Sequence, residues 1–491
     1  MLGMQKLISV ALNVPINQLF DYIVENQDIK IGCRVKVPFG GSTRTGIIVE
    51  TKKLNLGQTA YKIKNIHKVL DESRVLSTEM METCKWAATY YHYPIGQVLF
   101  NALTPIHRKG SPSPDRKLIF NEKNSKFQLK LNEEQSEVVI DIYKNIKQHQ
   151  VHLLKGVTGS GKTEVYTQLA IDLLQSDAQV LIMVPEINLT PQTVNRFKKY
   201  LDLEPLEYHS NLTPLQKFKV WRACKEEDRL IIIGTRSSVF LPFQNLKLLV
   251  IDEEHDQSYK QTEKFKYNAR DIGIVRSKSF DCPVVLGTAT PSFETIHNVS
   301  IKKYKQHLLK SRYFKSPLPL VTIVDTSIDK PDEGLSKTLK DEMKIELNKN
   351  NKVILFIGRR GFSNTVICSE CKNIVKCPKC DSNITYHKNV ERLICHHCGF
   401  SQSFDSVKPC CENPCLVPLG IGTQRVENKV KNLFPDKNIL RVDSDNISSK
   451  SDLKDFIKKA NNNEIDIFIG TQMIVKGHDF EDVSLVGIIN I

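Results

Sequence analysis

The chain has 491 residues, 40% hydrophobic and 25% charged, with 69 Lys and Arg against 55 Asp and Glu for a formal net charge of +14. That length holds about three to five domains, and the apolar fraction excludes a disordered chain, a collagen or a miniature disulfide scaffold. The basic surplus is concentrated in residues 1–130, which carry 19 basic against 10 acidic residues, and it favours an anionic partner, nucleic acid first.

Residues 1–70 read as a small β-rich module. KIGCRVKVPFG and TGIIVE are β-branched runs punctuated by Gly40-Gly41. Residues 77–100 have helical spacing, and the Pro/Ser/Gly-rich basic segment 107–117 reads as a linker. From about residue 131 apolar strands at 151–156, 179–184, 230–234, 246–252 and 283–289 alternate with helix-length segments. This is the pattern of a parallel sheet buried on both faces. A second set begins at 352–358, is interrupted by cysteines, and resumes at 438–445, 465–470 and 483–489. The chain stops inside an apolar run, so a truncated second lobe is expected. No apolar run approaches the ~20 residues of a membrane span, and no secretory leader is evident, so a soluble, cytoplasmic chain is expected.

Gly156-Val157-Thr158-Gly159-Ser160-Gly161-Lys162-Thr163 fits G-x-x-x-x-G-K-[ST] between a strand and a helix. Its glycines let backbone N–H groups converge on phosphate oxygens, Lys162 reaches the terminal phosphates, and Thr163 can ligate Mg²⁺. Asp252-Glu253-Glu254-His255 closes another strand, where an open α/β sheet binds ligand. Asp252 is expected to hold Mg²⁺, Glu253 to orient the attacking water, and His255 to couple the site to Gly287-Thr288-Ala289-Thr290-Pro291-Ser292. Pro185-Glu186-Ile187, Gly234-Thr235-Arg236-Ser237, Gly358-Arg359-Arg360-Gly361 and Gly470-Thr471-Gln472-Met473 occupy equivalent places after strands. There Arg236 suits a phosphate-backbone contact. The stretch holding Tyr259, Lys260, Tyr267 and Arg270 mixes cations and rings, as single-stranded nucleic acid binding requires.

Nine of the 13 cysteines lie between Cys368 and Cys415. Cys368-x2-Cys371, Cys377-x2-Cys380 and Cys395-x2-Cys398 are three zinc knuckles. A fourth pair completes two Cys₄ sites, hence two Zn²⁺. Cys410 and Cys411 compete for one place beside Cys415, and Cys411 is preferred.

GVTGSGKTEVY, VPEINLTPQ, IGTRSSVFLPF, DEEHDQSYKQ, LGTATPS, the knuckles, LGIGTQRVE and IGTQMIVKGHDF together resemble the bacterial replication-restart helicases, the primosomal protein N-prime (PriA) family. The resemblance implies an α/β fold. It comprises two RecA-like parallel-sheet lobes (the second incomplete), a small β-rich N-terminal DNA-binding domain and a Cys-rich zinc insertion. It implies an N-terminal 3′-DNA-end-binding domain at 1–105, a linker at 106–130 and an ATP-binding lobe at 131–310. The second lobe would occupy 311–366 and 417–491, with the zinc insertion at 367–416. It further implies an ATP- and Mg²⁺-dependent superfamily 2 helicase moving 3′ to 5′. Such an enzyme recognises forked and single-stranded DNA and assembles a primosome. Its partners would be other primosome proteins, single-stranded-DNA-binding protein and the machinery that loads the replicative helicase. A nucleoid-associated monomer is expected. QLFDY and VPFG place Phe20, Asp21 and Gly40 near a terminal nucleotide, with Lys64 beside them, and LNEEQ places Gln135 at the adenine. Residues 106–130 are too few for the winged-helix domain that the family carries there. The family's last arginine-bearing motif would lie beyond Ile491, which leads one to expect impaired hydrolysis.

Overall fold

β1 (Gln5–Leu12), β2 (Phe20–Glu25), β3 (Arg34–Phe39) and β4 (Ser42–Lys52), with the short β5 (Lys64–Asn65) and β6 (Lys68–Val69), form one sheet in the order β5-β2-β1-β4-β3-β6. β3 and β4 are joined by a two-residue turn, Gly40 and Gly41, with φ 57° and 76°. Only glycine adopts that pair of positive φ values cheaply, and it matches the twist of the strands. The sheet curls. Two strands separate β2 from β3, yet the Phe20 and Phe39 rings meet edge-on at 4.9 Å, and Tyr22 donates to the Pro38 carbonyl at 3.1 Å. Ile8, Val10, Val35, Val37 and Ile48 fill the inside.

The computed structural model describes residues 5–25, 29–52, 63–111, 129–185, 191–312, 319–358, 365–368, 370–371, 373–387, 392–395, 397–407, 410–411, 416–419, 423–442, 464–471 and 483–489. The chain divides into two units, Met1–Pro317 and Leu318–Ile491. In the first, the expected helical stretch is two helices, α1 (Thr78–Tyr90) and α2 (Ile95–Asn101), followed by α3 (Pro105–Arg108). Pro94 explains the break, because it lacks the N–H that a continuing helix needs and instead starts α2 as its N-cap.

The first lobe runs α4 (Glu133–Lys144), β7 (Val151–Gly156), α5 (Lys162–Leu173), β8 (Gln179–Met183), α6 (Pro191–Lys198), β9 (Leu206–Tyr208), α7 (Pro214–Glu226), β10 (Leu230–Gly234), β11 (Leu246–Asp252), α8 (Ala269–Ser279), β12 (Val284–Thr288), α9 (Phe293–Ser300) and β13 (Lys305–Leu309). The strands form one parallel sheet, β13-β7-β12-β11-β8-β10-β9. β8, β10 and β12 are buried at every residue, which is why they read as unbroken apolar runs. The N-terminal module is fused to this lobe. One core runs from Met80 and Leu99 into Phe218, Trp221 and Leu249. Arg276 of α8 grips Glu79 of α1 with two 2.8 Å hydrogen bonds, and Lys225 of α7 donates to the Arg74 carbonyl at 2.7 Å. Cys33, Cys84, Cys224 and Cys282 are ordinary buried residues.

The second unit contains α10 (Lys337–Asn348), β14 (Lys352–Ile357), β15 (Thr365–Cys368), β16 (Thr385–His387), β17 (Arg392–Ile394), β18 (Ser401–Ser403), β19 (Leu416–Leu419), α11 (Thr423–Leu433), β20 (Ile439–Val442), β21 (Ile467–Gly470) and β22 (Val483–Ile489). A parallel sheet β20-β21-β14-β22 packs on α10 and α11 through Leu335, Met343, Leu355, Val426 and Ile467. Antiparallel β15–β19 closes the neck of the insertion, and β16-β17-β18 forms its small sheet.

Candidate functional site

The phosphate loop follows β7, the acidic box follows β11 and the GTATPS turn follows β12, so the three motifs stand at the same end of adjacent strands. Gly161, at φ 83°, caps α5 without a side-chain acceptor. The first-turn N–H groups therefore keep their dipole for an anion. Lys162 is buried and donates to the Gly156 carbonyl at 3.0 Å, and the buried Ser160 hydroxyl has no partner among the described residues. A cradle of uncapped amides, one orphaned hydroxyl and one ammonium fits a polyphosphate. Gln135 is wholly buried. Its amide oxygen accepts from the Asn132 N–H at 2.9 Å, and its amide nitrogen donates to the carbonyls of Ser160 at 3.1 Å and Gly161 at 3.4 Å. It therefore grips the phosphate loop itself.

Asp252 accepts a 3.1 Å hydrogen bond from the buried Tyr166 hydroxyl. Burial, then the neighbouring Glu253 charge, pushes its carboxyl up to about 6, while Lys162 pulls the other way. A desolvated carboxylate beside a half-exposed second one is a fitting place for Mg²⁺. Glu253 is held at φ 47°, a strained conformation for a residue with a Cβ. His255 Nδ1 lies 2.8 Å from the Thr288 hydroxyl and 3.6 Å from Glu253, so it touches both the box and the GTATPS turn. Glu254 is the cross-brace. Its buried carboxylate takes Arg270 at 2.7 Å, the Ser292 N–H at 2.7 Å, and the Ser292 and Thr295 hydroxyls at 3.1 Å each.

In the second unit Cys368, Cys371, Cys410 and Cys411 form one thiol group, and Cys377, Cys380, Cys395 and Cys398 another. Sulfur–sulfur distances are 3.6 Å for Cys368–Cys411, 3.5 Å for Cys371–Cys410, 3.6 Å for Cys377–Cys398 and 3.5 Å for Cys380–Cys395. Tetrahedral zinc with Zn–S near ~2.3 Å sets thiolates about 3.8 Å apart, so both groups fit the ion. The fourth pair differs from the expected one: Cys410 and Cys411 both join the first group, while Cys415 lies outside the described residues. After the knuckles of the second group, Asp381 and Gly399 both have positive φ, 55° and 73°, so the two turns are built alike.

A family model for the PriA 3′ DNA-binding domain matches residues 9–104, one for DEAD/DEAH box helicases matches 132–299, and one for the PriA Cys-rich region matches 377–402. Replication restart protein PriA of Haemophilus influenzae is 35% identical across 99% of this chain and 77% of its own length. The Rickettsia conorii protein of that name is 39% identical across 97% and 73%, and that of Borreliella burgdorferi 33% across 98% and 72%. The chain belongs to the PriA family of replication restart proteins. It is an ATP-dependent DNA helicase, and its PriA character accounts for the Cys-rich insertion and the N-terminal sheet.

Within this PriA-family chain, the residues expected at a DNA end gather at one corner of the N-terminal sheet. Asp21 accepts from Ser9 at 2.6 Å and faces Lys52 at 3.5 Å, both through Oδ1. Phe20 packs against Phe39, which precedes Gly40, and Lys64 pairs with Tyr22 beside Asp21. The aromatic stretch departs from expectation. Tyr259 is only 1% exposed, and its hydroxyl donates to the carbonyls of Met183 and Asp252. Tyr267 is also buried and packs on Phe265 and Phe240. The Tyr259 ring is not offered to bases, and Tyr267 lines the wall of a cavity beside the first lobe. Arg270 is committed to Glu254 and Ser292, so it braces the motor rather than meeting phosphate. Lys260 is exposed, and Arg236 donates to the carbonyls of Ser258 and Lys260 at 3.0 Å. The sequence reading passed over Tyr166 and assigned Glu254 no role. Only the juxtaposition of β11, β12 and α5 reveals them. Glu186, Ile187, Arg359, Arg360, Gly361, Gln472 and Met473 lie outside the described residues.

Proposed function

We propose that this PriA-family helicase moves 3′ to 5′ on DNA and starts primosome assembly at stalled or repaired forks, with a 3′ end held on its N-terminal sheet. The observation that carries the reading is the cross-wiring of three nucleotide-handling motifs on adjacent strands: His255–Thr288 and Glu254–Ser292 join the acidic box to the 287–292 turn, and Tyr166–Asp252 joins it to the helix that follows the phosphate loop. Lys162 exchanges the Gly156 carbonyl for the terminal phosphates, and the loop amides from Gly156 to Thr163 hold the rest. Thr163 and Asp252 are the residues that would hold Mg²⁺, which neutralises phosphate charge when bound. Glu253 orients the attacking water. His255 and Glu254 pass the state of that site to the 288–292 turn, and Gln135 monitors the nucleotide through its grip on the loop. Phe20 stacks on the terminal base, Asp21 accepts from the 3′-hydroxyl through its unengaged oxygen, Gly40 allows close backbone approach and Lys64 meets phosphate. Arg236 and Lys260 contact the strand backbone.

Each thiol group takes one Zn²⁺, two in all. The partners are the other primosome proteins, single-stranded-DNA-binding protein and the loader of the replicative helicase. The proposed location is cytoplasmic, at the nucleoid, and among the described residues no helix is long and apolar enough to cross a membrane. The test is ATP hydrolysis without DNA, with single strands, and with a fork whose 3′ end lies at the junction. Rates rising in that order support the reading, and equal rates in all three sink it.

A further inference from the structure

A cavity of about 600 Å³ lies between the N-terminal helices and the first lobe. Arg108 at the end of α3, Lys217 on α7, Arg236 after β10 and Lys264 in the loop before α8 line it. None of these four has a carboxylate within ion-pair distance among the described residues. Arg108 donates to the carbonyls of Leu103 at 2.9 Å and Asn101 at 3.0 Å, and Lys217 to that of Ser210 at 2.8 Å. Carbonyl oxygens satisfy hydrogens without cancelling charge. Burial lowers the pKa of both Arg108 and Lys217, and the Arg108 charge lowers that of Lys217 further. Glu263 is the one carboxylate on the wall among the described residues; it is exposed, as are Arg108 and Lys264, whereas Lys217 and Arg236 are half-buried. Tyr93, Tyr208 and Trp221 supply ring surface, and the buried Trp221 indole N–H has no partner among the described residues.

Four uncompensated cations converging from four elements mark an anion site, and the rings beside them suit a flat base. We propose that this cavity is a second nucleotide-holding site, separate from the phosphate loop. It receives one nucleotide of the bound single strand, its phosphate on Arg108 and Lys217 and its base along the Trp221 wall. This rests on the helicase reading and extends it, since it routes the strand past Arg236 into the junction with the N-terminal module.

The two tryptophans are Trp86 and Trp221, so a Trp86→Phe chain reports on Trp221 alone. In that background a short oligothymidylate is expected to change Trp221 emission saturably. Lys217→Glu or Lys264→Glu is expected to weaken that binding about tenfold and to flatten its salt dependence by about one unit of slope. Thymidine monophosphate at matched concentration should leave the emission unchanged. If it changes the emission as strongly, the cavity serves free nucleotides and the strand assignment falls. An oligonucleotide response indifferent to both lysine changes also overturns the proposal. DNA-stimulated ATP hydrolysis in the same samples separates the two ideas. Stimulation without any Trp221 response defeats the cavity alone, whereas no stimulation defeats the helicase reading.

Discussion

In the first lobe, Lys162 opens the helix after one strand, Asp252 closes another with Glu254 just beyond it, and each is hydrogen-bonded to a neighbouring element, Lys162 as donor and the two carboxylates as acceptors. In the cysteine-rich insertion, strands of three or four residues surround a small core whose described members are Val366, Cys377, Ile384, Leu393 and Cys395, two of which are thiols. A core that small cannot offset the conformational entropy of ordering its chain. The lobe therefore brings its own stability to the site it carries, while the insertion borrows stability from the ions that its site binds.

The sharpest way to break that contrast is to remove metal. A strong chelator should unfold the insertion, at a cost on the order of 10 kcal/mol of binding free energy per site. Near-ultraviolet signals of the first lobe and nucleotide binding should persist. Metal content should fall from two zinc ions per chain, and Cys380→Ser alone should leave one. Loss of nucleotide binding on chelation would show that the two regions are not independent. The converse test is Lys162→Ala. It should cut ATP hydrolysis by about 10³-fold, as for removal of a charge-stabilising donor, while leaving zinc content and fork binding intact. Fork binding lost in step with hydrolysis would contradict that.

A smaller effect sharpens the account of the lobe's own bracing. Glu254→Gln leaves the largely buried Arg270 with only its longer carboxylate contact, to Asp271 at 3.3 Å, and should destabilise the first unit by about 3 kcal/mol. DNA stimulation of hydrolysis should fall more than the DNA-independent rate, because the brace joins the acidic box to the 288–292 turn. A variant equally stable and equally stimulated would remove Glu254 from the mechanism.

The smallest effect is one of pH. His152 and His307, hydrogen-bonded to each other at 2.9 Å inside the first lobe, are both held below the usual histidine range, His152 at about 3, chiefly by burial. Folding therefore favours the neutral ring. The stability is fully present above about pH 6.5 and is lost as pH falls toward 3, with His152 alone contributing a loss of about 2 kcal/mol by pH 5. Thermal unfolding across that window, compared with His152→Asn, checks it. Both chains losing stability alike would exclude the histidine pair as the cause.

The lobe was legible because central parallel strands carry no polar face. LIIIG begins and ends where its apolar run does, whereas VSLVGII is an edge strand of the second unit whose Val486 and Ile488 are exposed. The phosphate loop and the acidic box were legible because each is local in sequence. What escaped was orientation. Lys264, Phe265, Lys266 and Tyr267 alternate charge and ring, and that alternation also marks an extended segment with one face buried. Here the lysines point out and the rings in, so the ring positions read as DNA contacts are core residues. Nor could spacing choose between Cys410 and Cys411, since both sulfurs reach the same group once the chain folds back. Tyr166 looked like any helical residue until Gly287 came beside it. A Cβ at Gly287 would collide with the Tyr166 hydroxyl, so that glycine makes room for the Asp252 hydrogen bond.

The Glu79–Arg276 clamp has a mechanical corollary. Arg276 is almost fully buried, and its remaining donors go to the carbonyls of Val239 and Leu241, so α1 is bolted to the wall of the first lobe rather than tethered to it. If a DNA end is seated at Asp21 as proposed, it would lie at a set distance from the phosphate loop. The module would then act as a caliper whose jaws are the end of one strand and the grip on another. Forks should be sorted by the gap between those two points, with one gap length served best and both shorter and longer gaps served worse.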